Sequence, residues 1–169
     1  GQDGNFFFSP VSISFAFAMC YAGANGNTET EIADVMHFTL PEDNLHNAFN
    51  ALELTLTSEP ENPPGEAGEE LKLHIANSTW GQKDYYFVPA FLDILALHYG
   101  AGMNAVDFAS DPERCRLIIN EWVSRETEER IKDLLPVESI TPLTVLVLTN
   151  AIYFKANWLD PFDESDTTD

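Results

Sequence analysis

The chain has 169 residues, 44% of them hydrophobic and 12% aromatic, which is enough apolar material for one well-packed domain or a large piece of a bigger one and argues against a disordered segment. Eight Lys and Arg stand against 28 Asp and Glu, and a net charge of -20 repels phosphate backbones and anionic bilayers, so nucleic acid and membrane partners are disfavoured. The same acidity reads either as a soluble, self-repelling surface or as a means of recruiting a basic partner.

Phe6, Phe7 and Phe8 form a short strand-like run. Ser9-Pro10 then supplies a hydroxyl able to cap a helix and a ring already set to helical φ, so a helix is predicted from Pro10 with Gly23 as its stop. Ile13, Phe15, Ala16, Phe17, Ala18 and Met19 surround that helix, which predicts deep burial. Thr28-Glu29-Thr30-Glu31 fits a capping box ahead of Ile32, Val35 and Met36, predicting a short second helix. After Pro41, Leu45, Phe49, Leu52 and Leu56 recur at helical spacing. Ser58 to Glu70, with three prolines, two glycines and five glutamates, reads as a solvated loop.

From Leu71 the alternation of Leu71, Leu73 and Ile75 with Lys72, His74 and Ala76 predicts a strand ending near Gly81. A fourth helix opens at Val88-Pro89, shows Leu92, Leu95 and Tyr99 on its apolar face and stops at Gly100, and Met103 to Phe108 reads as another short strand. Asp111-Pro112-Glu113 starts a fifth helix with Ile118, Ile119, Trp122 and Val123 on one face. Leu143 to Phe154 is apolar at consecutive positions, the pattern of a central strand covered on both faces. No repeat or domain boundary interrupts the series, which reads as part of one α+β domain.

The sequence offers little to reactive chemistry. Cys20 sits in the apolar run Phe15 to Tyr21 and Cys115 is its only possible mate, so no disulfide framework is implied. That run is shorter than the roughly 20 residues of a membrane span, and the N-terminus lacks the order of a signal peptide. His74, His98 and Asp107 come with no Gly-x-Ser-x-Gly elbow, which argues against a hydrolase. His37, His46, His74 and His98 are too scattered for a zinc signature, and the acidic stretch at Asp160, Asp163, Glu164, Asp166 and Asp169 lacks the glycine and terminal glutamate of a calcium loop. No metal or cofactor is expected. Asn77-Ser78-Thr79 is formally a glycosylation acceptor but falls inside a predicted strand.

Several blocks in order carry a family resemblance: Asn5-Phe6-Phe7-Phe8-Ser9-Pro10-Val11-Ser12-Ile13, Gly23 to Thr28, Ala76-Asn77-Ser78-Thr79-Trp80, Val106-Asp107-Phe108, Ile119 to Thr127, Ile131 to Leu135, and Thr149-Asn150-Ala151-Ile152-Tyr153-Phe154-Lys155-Ala156-Asn157-Trp158. Together they span nearly the whole chain and resemble the serpins, a family of serine protease inhibitors. The resemblance implies the serpin fold, with three β-sheets and eight to nine helices, of which residues 1–169 would be roughly the N-terminal half of a single domain lacking the C-terminal part and its reactive loop. It implies a mechanism in which a protease cleaves that loop to an acyl-enzyme and the loop then inserts into a large sheet as a new strand. The implied partners are a target serine protease and the C-terminal remainder of the same polypeptide. A non-inhibitory serpin acting as a carrier or binding protein is the alternative.

Roles for particular residues follow from the resemblance alone. Ser9, Ser12 and Asn150 match the polar cluster beneath the point where the sheet parts, although Ser9 also reads as a plain helix cap. Trp158 matches the aromatic where insertion begins, or is ordinary core packing. Asn120, Trp122 and Val123 lie on the helix that covers the sheet and gives way as the loop passes. Some serpins bind heparin through basic residues on the helix matching Asn44 to Leu56; that stretch has no Lys or Arg, so heparin activation is disfavoured. The resemblance favours an extracellular setting.

Overall fold

A computed structural model describes residues 8–58 and 72–156. The expected strand at Phe6 and Phe7, the loop from 59 to 70, Trp158 and the acidic stretch beginning at Asp160 lie outside the described residues. Among the described residues five helices and three strands run in the order α1 (Pro10–Tyr21), α2 (Asn27–Met36), α3 (Glu42–Thr57), β1 (Lys72–Gln82), α4 (Pro89–Tyr99), β2 (Met103–Val106), α5 (Pro112–Glu126) and β3 (Leu146–Lys155).

The start of α1 is built as its sequence predicts, with the Ser9 hydroxyl accepting the Ser12 N–H at 3.2 Å and Pro10 in the first turn. Gly23 lies just past the end, where a Cβ would stand 2.9 Å from the Phe91 ring on α4, so the close approach of α4 demands a glycine there. Burial of α1 is one-sided, against expectation. Phe15, Ala18, Met19 and Tyr21 are buried, whereas Val11, Ile13 and Phe17 stay exposed, because among the described residues β3, α2, α3 and α4 all cover the same flank of α1.

The capping box predicted at Thr28 does not form. The cap of α2 is Gly26, at φ 61, and it offers no side-chain bond; the Thr30 hydroxyl turns back to the Gly26 carbonyl and Glu31 accepts from the Asn27 amide at 2.8 Å. The helix therefore begins two residues earlier, at a backbone angle that glycine reaches without penalty. On α3, Leu45 is buried and Phe49 packs on the core, while Leu52 and Leu56 remain exposed. Gly100 closes α4 in the left-handed conformation, as expected, and the buried face combines Leu95 and Tyr99 with the partly buried Phe91 and Ile94.

The three strands form one sheet in the order β2-β1-β3. β1 and β3 are antiparallel partners over ten pairs, from Lys72 opposite Lys155 to Gly81 opposite Leu146. β2 pairs in parallel with Thr79 to Gln82 alone and stops at Val106, leaving Phe108 beyond it as a fully buried plug. The continuous apolar character of β3 has its cause in two cores. Leu148 packs with Phe15, Met19, Leu95 and Tyr99 on the side of α1, whereas Val147 packs with Trp80, Phe108, Cys115 and Ile119 on the side of α5. β3 begins three residues later than the sequence suggests, and among the described residues it is an edge strand with one neighbour.

On α5 the Asp111 carboxylate accepts the Arg114 N–H at 3.1 Å and Pro112 follows it, the start read from the sequence. Its buried face is Cys115, Ile119 and Val123 with Trp122 partly buried, a stripe at four-residue spacing. Ile118 was expected on that face and instead is exposed.

Candidate functional site

A row of polar side chains crosses from α1 through both long strands to α3. The Ser12 hydroxyl, at the end of the turn that Ser9 caps, donates to the Asn150 side-chain carbonyl on β3. Asn150 Nδ2 donates to Asn77 Oδ1 on β1 at 2.7 Å, and Asn77 Nδ2 reaches the Glu53 carboxylate on α3 at 3.5 Å. Asn77 and Asn150 are register partners in the β1-β3 ladder, which fixes their side chains on the same face. Burial pushes the Glu53 carboxyl above its ordinary range.

The structure joins Ser12 to Asn150, while the Ser9 hydroxyl serves as the helix cap on the Ser12 N–H, and the row adds two residues that reading the sequence missed. Asn77 drew notice as a glycosylation acceptor; its side chain is buried and spent on Asn150 and Glu53. Its alignment with Asn150 was invisible without the register, and Glu53 looked like one more charge on an amphipathic helix. The row suits exchange of partners better than bond-making chemistry. Ser12 faces an amide oxygen, which takes no proton at neutral pH, so nothing there activates a hydroxyl for attack.

The opposite face of the same strands carries a second set. Trp80 Nε1 donates to the Thr149 hydroxyl at 3.2 Å, and that hydroxyl donates to the Ser78 carbonyl. Trp122 of α5 meets Trp80 edge to face, with ring centroids 5.9 Å apart, and Val123 is fully buried. Asn120 faces away from this contact: its amide donates to the Leu135 carbonyl at 2.9 Å and accepts the Leu135 N–H at 2.8 Å, and Arg116 adds a third bond to Leu135. Trp122 and Val123 therefore seat α5 on the sheet, while Asn120 ties the returning chain to the helix.

Between α3 and α4, His46 is buried and shares a 2.6 Å hydrogen bond with the Tyr99 hydroxyl. Burial and the neighbouring His98 ring push its pKa down to about 4 despite the opposing pull of Asp43. Burial also pushes the Tyr99 hydroxyl up.

Among the described residues, two long antiparallel strands thus carry a polar row on one face and α5 laid over the other. The family model for Serpin (serine protease inhibitor) matches residues 1–169. The chain belongs to the serpin family. Among curated serpins, leukocyte elastase inhibitor A of Rattus norvegicus is 40% identical over 166 residues, covering 98% of this chain and 41% of the relative. An uncharacterized serpin-like protein of Thermococcus kodakarensis is 41% identical, covering 99% of this chain and 37% of its own length. The chain thus spans about two-fifths of the curated relatives it matches. Two solved structures agree on the fold: emu ovalbumin (TM-score 0.84, 28% identity, 97% of this chain and 44% of that one) and an Arabidopsis serpin in its native stressed conformation (TM-score 0.81, 32% identity, 98% and 40%). The α+β arrangement described above is accordingly part of a serpin fold.

Proposed function

We propose that the protein carrying this chain inhibits a serine protease by suicide-substrate loop insertion, and that residues 1–169 supply the helical scaffold and the long strands of the sheet that receives the loop. On this reading the rest of the polypeptide holds the reactive bond, pairs with the outer edge of β3 and covers the exposed apolar residues of α1. The chain contributes no catalytic residue; the chemistry belongs to the protease.

The observation that carries the proposal is the Ser12-Asn150-Asn77-Glu53 row. A sheet that opens must move strands without orphaning buried groups, and hydroxyls and amides that both donate and accept can change partners during the movement, whereas an apolar row would open a void. Trp158, three residues beyond the end of β3, takes the role of the aromatic where insertion begins, and α5 that of the helix which yields.

The test is direct. The full-length protein, mixed with elastase-like, trypsin-like and chymotrypsin-like proteases, is expected to give with at least one of them a covalent complex that survives boiling in detergent. Digestion by every protease with no such complex would reject inhibition and favour a carrier or binding role instead.

A further inference from the structure

The chain leaving α5 is held in an unusual way. Glu128 and Glu129, directly after the helix, adopt left-handed backbone angles, φ 47 and φ 60, a region that costs an ordinary L-residue free energy and persists where surroundings enforce it. Backbone bonds from Glu128 N–H to the Arg125 carbonyl and from Glu129 N–H to the Ser124 carbonyl hold it, and the Glu128 side chain adds a tie to the sheet. One carboxylate oxygen accepts from Lys72 Nζ at 2.8 Å, on the first residue of β1, and the other accepts from the Tyr153 hydroxyl at 2.9 Å, near the end of β3. Tyr153 is buried and its ring lies 5.8 Å from that of His74, its register partner, so this donor is anchored in both strands. The local backbone is tied as well: the Thr127 hydroxyl donates to the Val123 carbonyl and accepts the Ile131 N–H, and Glu129 N–H meets the Ser124 carbonyl at 2.7 Å.

We propose that Glu128 is the positioning residue that latches the C-terminal end of α5 onto the sheet, and that opening this latch is the first step when the helix lifts. One side chain bridges three elements, and it does so at the end of β3 that leads to Trp158. The backbone behind it is strained, so release of the carboxylate removes one of the ties that hold it, and the helix end is closed against a small spring. The other end of α5 is held by apolar packing of Cys115 and Ile119 with Trp80 and Phe108, which loosens gradually. The latch is therefore where a switch between seated and lifted states is set. The link to sheet opening rests on the inhibitory reading above; the latch itself does not.

The experiment uses the full-length protein and three variants, Glu128→Gln, Tyr153→Phe and the double change, none of which alters side-chain volume much. Hydrogen exchange across residues 116–135 is expected to speed up about fivefold in each single variant, below the full worth of a charge-assisted bond because the Glu128 carboxylate is partly exposed, and the double variant to add little more because both act on one contact. Exchange in the paired region of β1 and β3 should not change. Loop insertion, followed as the rate of complex formation or of spontaneous conversion on mild warming, should accelerate by a similar factor in Glu128→Gln. Unchanged exchange in 116–135, or an effect spread evenly over the whole protein, would overturn the latch. Faster exchange with an unchanged insertion rate would overturn its place as the first step. If the wild-type protein never inserts or traps a protease, the inhibitory reading fails, and the exchange measurement still decides the latch.

Discussion

Asn150 stands between a hydroxyl on one helix and an amide on the neighbouring strand, and both lose a partner if its side chain is removed. Asn150→Ala is expected to destabilise the full-length protein by about 2–3 kcal/mol, the cost of leaving buried polar groups unmade, measured as a shift in the denaturant midpoint. Asn150→Asp should cost more, because a second carboxylate would enter the row that ends on Glu53, whose carboxyl burial already pushes up. Ser12 and Asn150 could be singled out from the sequence blocks; Asn77 sits in such a block too, but its part in the row, like that of Glu53, depends on strand register and on the facing side of α3. His46 gives a pH signature at the same scale. Its ordinary value is 6.5 and in the fold it lies at about 4, so between these limits the unfolded chain binds more protons and stability falls as the pH drops through that window. His46→Phe, which fills the ring site without titrating, is expected to flatten urea-unfolding midpoints between pH 6.5 and 4 relative to the parent.

At the scale of elements, α5 depends on two different kinds of contact. Asn120→Ala removes both bonds to the Leu135 backbone and should cost about 1–3 kcal/mol while leaving the Trp80-Trp122 contact intact, seen as lost exchange protection near Leu135. Glu129→Gly, which relieves a left-handed residue whose side chain makes only an exposed ion pair with Lys132 at 3.7 Å, should raise the melting temperature by the equivalent of about 1 kcal/mol. Helix starts at Ser9-Pro10 and Asp111-Pro112 were readable because cap and ring act within one turn. Errors arose where tertiary context decided: Gly26 displaced the Thr28 box through its backbone angle, and the apolar girdle of α1 gave no hint that one flank would remain uncovered.

For the whole molecule, the outer edge of β3 and the exposed Val11, Ile13 and Phe17 of α1 form surfaces that one more layer of structure would cover. Residues 1–169 produced alone are expected to self-associate, detected by light scattering at micromolar concentration; a monodisperse, cooperatively melting monomer would contradict this. The β1-β3 ladder also has a consequence in time. Among the described residues, Lys72 to Ser78 find their strand partners only at Lys155 to Thr149, with α4, β2 and α5 emerging in between. During synthesis the Thr79 to Gln82 end of β1 can pair early with β2, but Lys72 to Ser78 wait until nearly all of this chain has left the ribosome, so their pairing is a late event of high contact order. The net charge of -20 then has an effect that needs no partner: nascent chains repel one another while the first half of β1 waits for β3.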